Sequence, residues 1–73
     1  MLGVSQKNGC VRVRIQRKHK YMEFYGFYSE EQAGYVWDAM KRICHPETTR
    51  YNFPSSEPQW AIDKAKELLN EHH

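Results

Sequence analysis

Hydrophobic and polar residues alternate along the first part of the chain, on both sides of an Asn8-Gly9 pair. Asn-Gly favours a two-residue type I′ turn, because both central positions of that turn need a positive φ. Counting outward from the turn pairs Ser5 with Arg12 and Val4 with Val13. The apolar face of this predicted hairpin carries Leu2, Val4, Val11, Val13 and Ile15, and the open face carries Gly3, Ser5, Lys7, Arg12 and Arg14. A slip of one residue would bury the arginines, so the alternation fixes the register.

A second hairpin is predicted with its turn over Lys18 and His19. The usual turn residues are missing there, so we expect a looser loop of four residues, 17–20. Counting outward gives the apolar pairs Ile15–Met22 and Val13–Phe24, and the open-face pairs Gln16–Tyr21, Arg14–Glu23 and Arg12–Tyr25. Both hairpins place the core on the same side, which supports a three-stranded antiparallel sheet.

Two amphipathic helices follow the predicted sheet. The first begins at a capping box from Ser29 to Gln32 and stops before Pro46, and its apolar stripe is Ala33, Val36, Trp37, Met40, Ile43 and Cys44. The second begins at a capping box from Ser56 to Gln59, and its stripe is Trp60, Ala61, Ala65, Leu68 and Leu69. We therefore expect an α+β fold: a sheet packed on one α-helix in a domain of residues 1–54, then a short C-terminal helix in residues 55–73. The pattern allows this helical extension to pack on the domain, to pair with a second copy or to continue into a longer protein.

The net charge of +2 conceals a strong segregation along the chain. Residues 1–22 hold six lysines and arginines and no acidic residue, whereas residues 23–73 hold five basic and nine acidic residues. The first part is therefore +6 and the second −4. A positive field on one element attracts a polyanion more strongly than the net charge indicates. We expect nucleic acid as the partner.

Length and residue spacing exclude several classes of protein. A chain of 73 residues has little room for a pocket, and no Ser-His-Asp, paired-carboxylate or phosphate-loop pattern is visible, so we expect neither an enzyme nor a cofactor. No metal is expected, because a structural zinc site needs a different spacing from that of His19, Cys44, His45, His72 and His73. Cys10 and Cys44 are expected to be reduced, and no apolar run approaches the roughly 18 residues of a membrane span. We expect an intracellular protein, in the nucleus of a eukaryote or the cytoplasm or nucleoid of a bacterium or phage-infected cell.

Several of these positions combine into a longer pattern. Its residues are Gly3-Val4, Gly9, the alternating Val11, Val13 and Ile15, Phe24, Phe27, Ser29-Glu30-Glu31-Gln32-Ala33, Trp37-Asp38 and Asn52-Phe53-Pro54. With this pattern, residues 2–54 resemble the DNA-binding domain of the apetala-two / ethylene response factor family. The resemblance implies a sheet that lies in the major groove of DNA, a helix behind it, and bases read mainly by arginines and aromatic residues on the strands. Leu2 and Ser5 stand where well-known members have arginines, and Glu23 stands where they have tryptophan or histidine, so the target sequence of the family does not carry over.

The open face of the predicted sheet carries the candidate base-reading residues. Arg12 and Arg14 are two places apart on one strand, so both guanidinium groups point the same way and each can bind O6 and N7 of a guanine. Gln16 can bind an adenine through its amide. Glu23 can form a cross-strand charge pair with Arg14 or accept a hydrogen bond from a cytosine amino group. The small residues that would allow close approach of DNA are Gly3 and Ser5.

Other residues are candidates for contact with the DNA backbone, which gives affinity without sequence information. They are Lys7, Arg17, Lys18, Lys20, Tyr21 and Tyr25. Trp37 is expected in the core, and a contact from its indole N–H to a phosphate is implied by the resemblance alone. Phe53 is expected to plug the edge of the core.

Three functional hypotheses follow from the sequence. The first is sequence-specific binding of double-stranded DNA through the sheet in the major groove, as a transcription regulator or as the targeting module of a larger protein. The second is a protein-interaction module that has lost base-reading residues and self-associates or contacts a protein through residues 57–71. The third is binding of RNA or single strands, with Tyr21 and Tyr25 as stacking platforms.

Overall fold

The computed structural model describes residues 2–17, 19–47, 50–53 and 57–71, without the side chains of Lys7 and Arg17. The elements in chain order are β1 (Val4–Lys7), β2 (Cys10–Arg17), β3 (Lys20–Phe27), α1 (Glu30–Cys44) and α2 (Gln59–Glu71). The strands form one antiparallel sheet in the order β1-β2-β3. The predicted α+β class, with the sheet packed on one helix and followed by a short C-terminal helix, is confirmed.

The first hairpin has the register that the alternation predicts. Its ladder runs from the Val4–Val13 pair to the Lys7–Cys10 pair. The Asn8-Gly9 turn has φ angles of 54° and 79°, and a type I′ turn requires both to be positive. The open-face residues of β1 and β2 therefore lie side by side as expected.

The second hairpin is tighter at its turn than the sequence indicates. β2 and β3 pair as far as Arg17 and Lys20, two residues that were expected in the four-residue loop. His19 takes a positive φ of 66°, a conformation that histidine adopts more readily than most residues other than glycine. The tighter turn extends both strands to eight residues.

A β-bulge on β3 replaces the predicted pair of Arg12 and Tyr25. Val13 lies opposite Phe24, but Val11 lies opposite Phe27, so two residues of β3 oppose the single Arg12. The extra residue is accommodated at Tyr25-Gly26, where Gly26 has a φ of 92° that other residues rarely adopt. A bulge increases the local twist of the sheet at this point.

The helix α1 covers the apolar face of the sheet. The hydroxyl of its N-cap Ser29 accepts a hydrogen bond from the Gln32 N–H at 3.1 Å, as the capping box predicts. The Gln32 side chain reaches one residue further back than that motif predicts, and it accepts from the Tyr28 N–H at 2.7 Å. The buried apolar residues of the core are Val11, Val13, Ile15, Met22, Phe24, Ala33, Val36, Trp37, Ala39, Met40, Ala61, Ala65 and Leu69. Ile43 was expected in the stripe but is exposed, because it lies at the margin of the stripe in the last turn.

The helix α2 packs on α1 and adds Ala61, Ala65 and Leu69 to the same core. The sequence pattern allowed several arrangements of this C-terminal extension. In the structure it packs on the rest of the chain. Trp60 from the same predicted stripe stays about half exposed. Neither α1 nor α2 is long and apolar enough to cross a membrane. The predicted cap Ser56 lies outside the described residues, as do Pro54 and His72-His73.

A buried carboxylate fastens the start of β1 to α1. Asp38, fully buried in α1, accepts hydrogen bonds from the backbone N–H groups of Asn52 and Phe53, both at 2.9 Å. The Asn52 side chain accepts from the Leu2 N–H at 2.5 Å and donates to the Leu2 carbonyl at 3.0 Å. Burial raises the pKa of Asp38, although the two backbone N–H groups oppose that rise. We call these four residues, Asp38, Asn52, Phe53 and Leu2, the Asp38 clamp.

Gly3 has a different role from the one predicted. Its φ of 68° is one that residues with a side chain rarely adopt. A Cβ atom at this position would overlap the indole of Trp37, so it would point toward α1 and not toward the open face. The Trp37 indole N–H donates to the Arg14 carbonyl at 3.0 Å. Because that N–H is used inside the protein, the phosphate contact implied by the resemblance would require this hydrogen bond to break. Gly3 and Trp37 serve the packing of α1 on the sheet.

Candidate nucleic-acid interface

The sheet leaves the face opposite α1 exposed in the part of the chain that the structure describes. We call this surface the open face; its members are Ser5, Arg12, Arg14, Gln16, Tyr21, Glu23 and Tyr25. The open face brings together the residues predicted for base reading and close approach, except Gly3. It also holds Tyr21 and Tyr25, which were predicted to contact the DNA backbone. The tyrosines are 59% and 60% exposed, so both rings are available to a ligand.

Glu23 lies at the centre of the open face. Its carboxylate is 3.6 Å from Nη1 of Arg12 and 4.0 Å from Nε of Arg14, and it accepts a hydrogen bond from the Tyr25 hydroxyl at 3.2 Å. Both separations from the guanidinium nitrogens are longer than a charge-assisted hydrogen bond, so the arginines are attracted without being locked in place. The structure contains the predicted cross-strand charge pair of Glu23 with Arg14, and Glu23 also pairs with Arg12.

The two arginines differ in freedom. Arg12 Nε donates to the Ser5 hydroxyl at 3.1 Å, and its side chain is 23% exposed. The Arg14 guanidinium lies 4.1 Å from the centroid of the Tyr21 ring, and its side chain is 49% exposed. Ser5, predicted to allow close approach, therefore also orients Arg12. Arg14 is the more accessible of the two guanidinium groups.

The end of the β2–β3 hairpin is tied to the end of α1. Nε2 of His45 lies 2.6 Å from the carbonyl oxygen of Gln16, and because a carbonyl only accepts, this nitrogen carries the proton. The contact supports the strand end while leaving the Gln16 side chain exposed. Lys20 is exposed beside the turn, at the position predicted for phosphate contact. Lys18 and the side chains of Lys7 and Arg17 lie outside the described residues.

No group of three histidines, cysteines or acidic residues close enough to hold a metal ion occurs among residues 2–17, 19–47, 50–53 and 57–71. Cys10 and Cys44 are not joined in a disulfide. What the open face offers is charge, hydrogen-bond donors and aromatic surface.

The fold and this surface define a small α+β module with an arginine-bearing, solvent-exposed sheet. Comparisons with protein-family models, with curated proteins and with solved structures gave no match. The resemblance to the apetala-two / ethylene response factor domain therefore stays a prediction from the residues quoted above.

Proposed function

We propose that this chain binds double-stranded DNA sequence-specifically by laying the open face in the major groove, as a transcription regulator or as the targeting module of a larger protein. One observation carries the proposal: Arg12 and Arg14 point from one exposed strand, and neighbouring side chains hold both of them.

The dimensions of the sheet support the major groove. Neighbouring strands lie about 4.8 Å apart, so the outer strands of a three-stranded sheet are about 10 Å apart. The major groove of B-DNA is about 12 Å wide and the minor groove about 6 Å. The sheet is therefore too wide for the minor groove, which leaves the major groove, in which each base pair has a distinct pattern of donors and acceptors.

The chemistry of the open face matches the edge of guanine. A guanidinium group presents parallel N–H donors that pair with O6 and N7. Stacking of Arg14 on Tyr21 restricts this long side chain before binding, which reduces the conformational entropy lost on contact. Glu23 would repel phosphate, but its position between two arginines limits that repulsion and leaves its carboxylate able to accept from a cytosine amino group.

Selection from a randomised duplex pool at two salt concentrations tests the proposal. We expect an enriched motif that contains guanine, and an affinity that falls with salt. If about four basic side chains engage phosphates, the slope of log K against log salt is about −3.6. Salt-dependent binding without enrichment would contradict base reading, and no retention at low salt would contradict DNA binding. Preference for a single-stranded competitor would favour stacking on Tyr21 and Tyr25 instead.

Replacing Glu23 by glutamine should strengthen binding to all duplexes while reducing discrimination between them. The variant removes one negative charge and frees Arg12 and Arg14 from their shared partner. Because exposed ion pairs contribute about 0.2 to 1 kcal/mol, we expect a change of a few-fold, measured by fluorescence anisotropy on motif and scrambled duplexes. Glu30→Gln is the matched control, since it removes the same charge from the start of α1. The same response in both variants would contradict a role for Glu23 in reading.

The protein-interaction hypothesis receives less support from the packing of α2. It requires an exposed apolar stripe within residues 57–71, but Ala61, Ala65 and Leu69 are buried against the rest of the chain. Trp60 remains half exposed, and it takes part in a different surface.

A further inference from the structure

A cleft of about 290 Å³ lies between the start of α1 and the start of α2. Its lining residues are Tyr28, Ser29, Glu31, Gln32, Tyr35 and Trp60, and we call it the aromatic cleft. Both helices belong to the layer that packs on the apolar side of the sheet. The aromatic cleft is therefore separate from the open face.

Three aromatic rings form the walls of the aromatic cleft. Tyr35 stacks on Phe53 with ring centroids 4.1 Å apart and planes 18° apart, and it meets Trp60 edge to face at 6.1 Å and 74°. These contacts hold Tyr35 in place. Trp60 is 48% exposed and Tyr28 94% exposed, so ring surface remains open to a ligand. Exposed aromatic surface grouped in this way is typical of a binding site.

Only one of the lining residues carries a charge. The Ser29 hydroxyl and the Gln32 side-chain oxygen are already used, because they cap the first turn of α1. Glu31 has neither a hydrogen bond nor an ion pair from its side chain to any part of the chain that the structure describes. The aromatic cleft thus combines aromatic walls with one carboxylate that has no partner there.

The same chain builds two arginine sites from these components. Arg42 Nε lies 2.6 Å from a carboxylate oxygen of Glu57, and its guanidinium lies 4.1 Å from the centroid of the Tyr51 ring. Arg14 lies between Glu23 and Tyr21 at 4.0 Å and 4.1 Å. In each case a guanidinium lies close to both a carboxylate and an aromatic face.

We propose that the aromatic cleft binds an arginine side chain of a partner protein, with the guanidinium against Glu31 and over Trp60. Two acidic residues, Glu30 and Glu31, lie in the first turn of α1, and their negative charge is complementary to such a cation. A guanidinium is planar and weakly hydrated, so it stacks on aromatic rings better than the compact, strongly hydrated ammonium of lysine. The partner does not compete with DNA, since the two ligands occupy different layers of the fold.

NMR titration of the ¹⁵N-labelled full chain with three short peptides tests the arginine site. Each peptide is Gly-Xaa-Gly, acetylated at its N-terminus and amidated at its C-terminus. Xaa is arginine, lysine or citrulline, which has the shape of arginine without its charge. We expect the arginine peptide to shift the Trp60 indole resonance and the Glu31 amide saturably, while the buried Trp37 indole does not move. Citrulline should bind about tenfold more weakly, because the charge-assisted contact and the cation–π attraction are both lost, and lysine should fall between the two.

A pair of variants separates the proposed contact from a general effect of charge. Glu31→Gln should weaken the arginine peptide about three- to fivefold, whereas Glu30→Gln removes a neighbouring charge outside the lining and should change affinity less than about twofold. Equal binding of arginine and citrulline, equal loss in both variants, or no saturable shift would each overturn the proposal. A proline-rich peptide that saturates these resonances when arginine does not would overturn it too. Glu31→Gln should retain duplex DNA like the unchanged chain, so failure here is distinct from failure of the proposed DNA binding.

Discussion

Replacing Arg14 by alanine is expected to remove most of the preference of this chain for its motif over a scrambled duplex. The motif affinity should fall by about 1 to 3 kcal/mol, which is about 5- to 150-fold, while the affinity for scrambled DNA changes little. The reason is that Arg14 is the more exposed of the two arginines and does not donate a hydrogen bond to Glu23 that would lock it. Fluorescence anisotropy on the two duplexes measures both affinities.

Lys20→Ala provides the comparison for Arg14→Ala. Lys20 lies beside the hairpin turn, away from the centre of the open face, and is suited to phosphate contact. Its loss should weaken motif and scrambled duplexes by the same factor and make the salt slope shallower by about 0.9. If the two variants behave alike, Arg14 does not read bases.

Replacing Asp38 by alanine is expected to be the most destabilising single change in the Asp38 clamp. It leaves the buried N–H groups of Asn52 and Phe53 without an acceptor, at about 1 to 3 kcal/mol each, so the free energy of unfolding should fall by about 2 to 6 kcal/mol. Urea denaturation measures the loss. Asp63→Ala is the control, because among the described residues exposed Asp63 accepts only from the Gln59 side chain, and its replacement should cost less than about 0.5 kcal/mol. Similar losses in the two variants would contradict the structural role of the clamp.

Asp38→Asn tests the charge of the same residue through pH. Burial raises the pKa of Asp38 on folding, so protonation favours the folded state. The resulting stabilisation is complete below the ordinary pKa of 3.8 and is lost as pH rises through the folded value. The asparagine variant lacks this titration. We therefore subtract the unfolding free energy of the asparagine variant from that of the unchanged chain. This difference should decrease from acid to neutral pH, and an increase would show that folding lowers the pKa of Asp38.

Much of the sheet could be predicted because its causes are local. The Asn8-Gly9 turn and the alternation act within a few residues, so they fix the first register correctly. Counting alone assumes that one residue opposes one residue, and for that reason it missed the bulge at Tyr25-Gly26. Gly26 was the available signal, since an isolated glycine in a strand often marks a bulge.

The members of the open face could be predicted better than their contacts. Alternation assigns Ser5, Arg12 and Glu23 to one side of the sheet, and they are found there. The hydrogen bond from Arg12 to Ser5 depends on side-chain rotamers, which periodicity does not specify. Gly3 was misplaced because β1 begins only at Val4, so strand alternation does not apply before it.

The Asp38 clamp and the aromatic cleft were not predicted, because their contacts join distant parts of the chain. An aspartate within a helix is usually exposed, and nothing local indicates that Asp38 bonds a backbone 14 residues away. Asn52 and Leu2 are 50 positions apart. Tyr28, Tyr35 and Trp60 come together only once α2 has packed on α1.

The position of Ser5 on a short edge strand has a consequence for the proposed reading of DNA. β1 has four residues and pairs on one side only, so it opens locally at a lower free energy than the longer strands. Whenever β1 opens, Arg12 loses its hydrogen bond to Ser5 and explores other rotamers. Asn52 fastens the start of that strand. If Arg12 reads a base as proposed, its selectivity depends on how often this edge strand opens, and the Asn52 side chain, far along the sequence, opposes that opening.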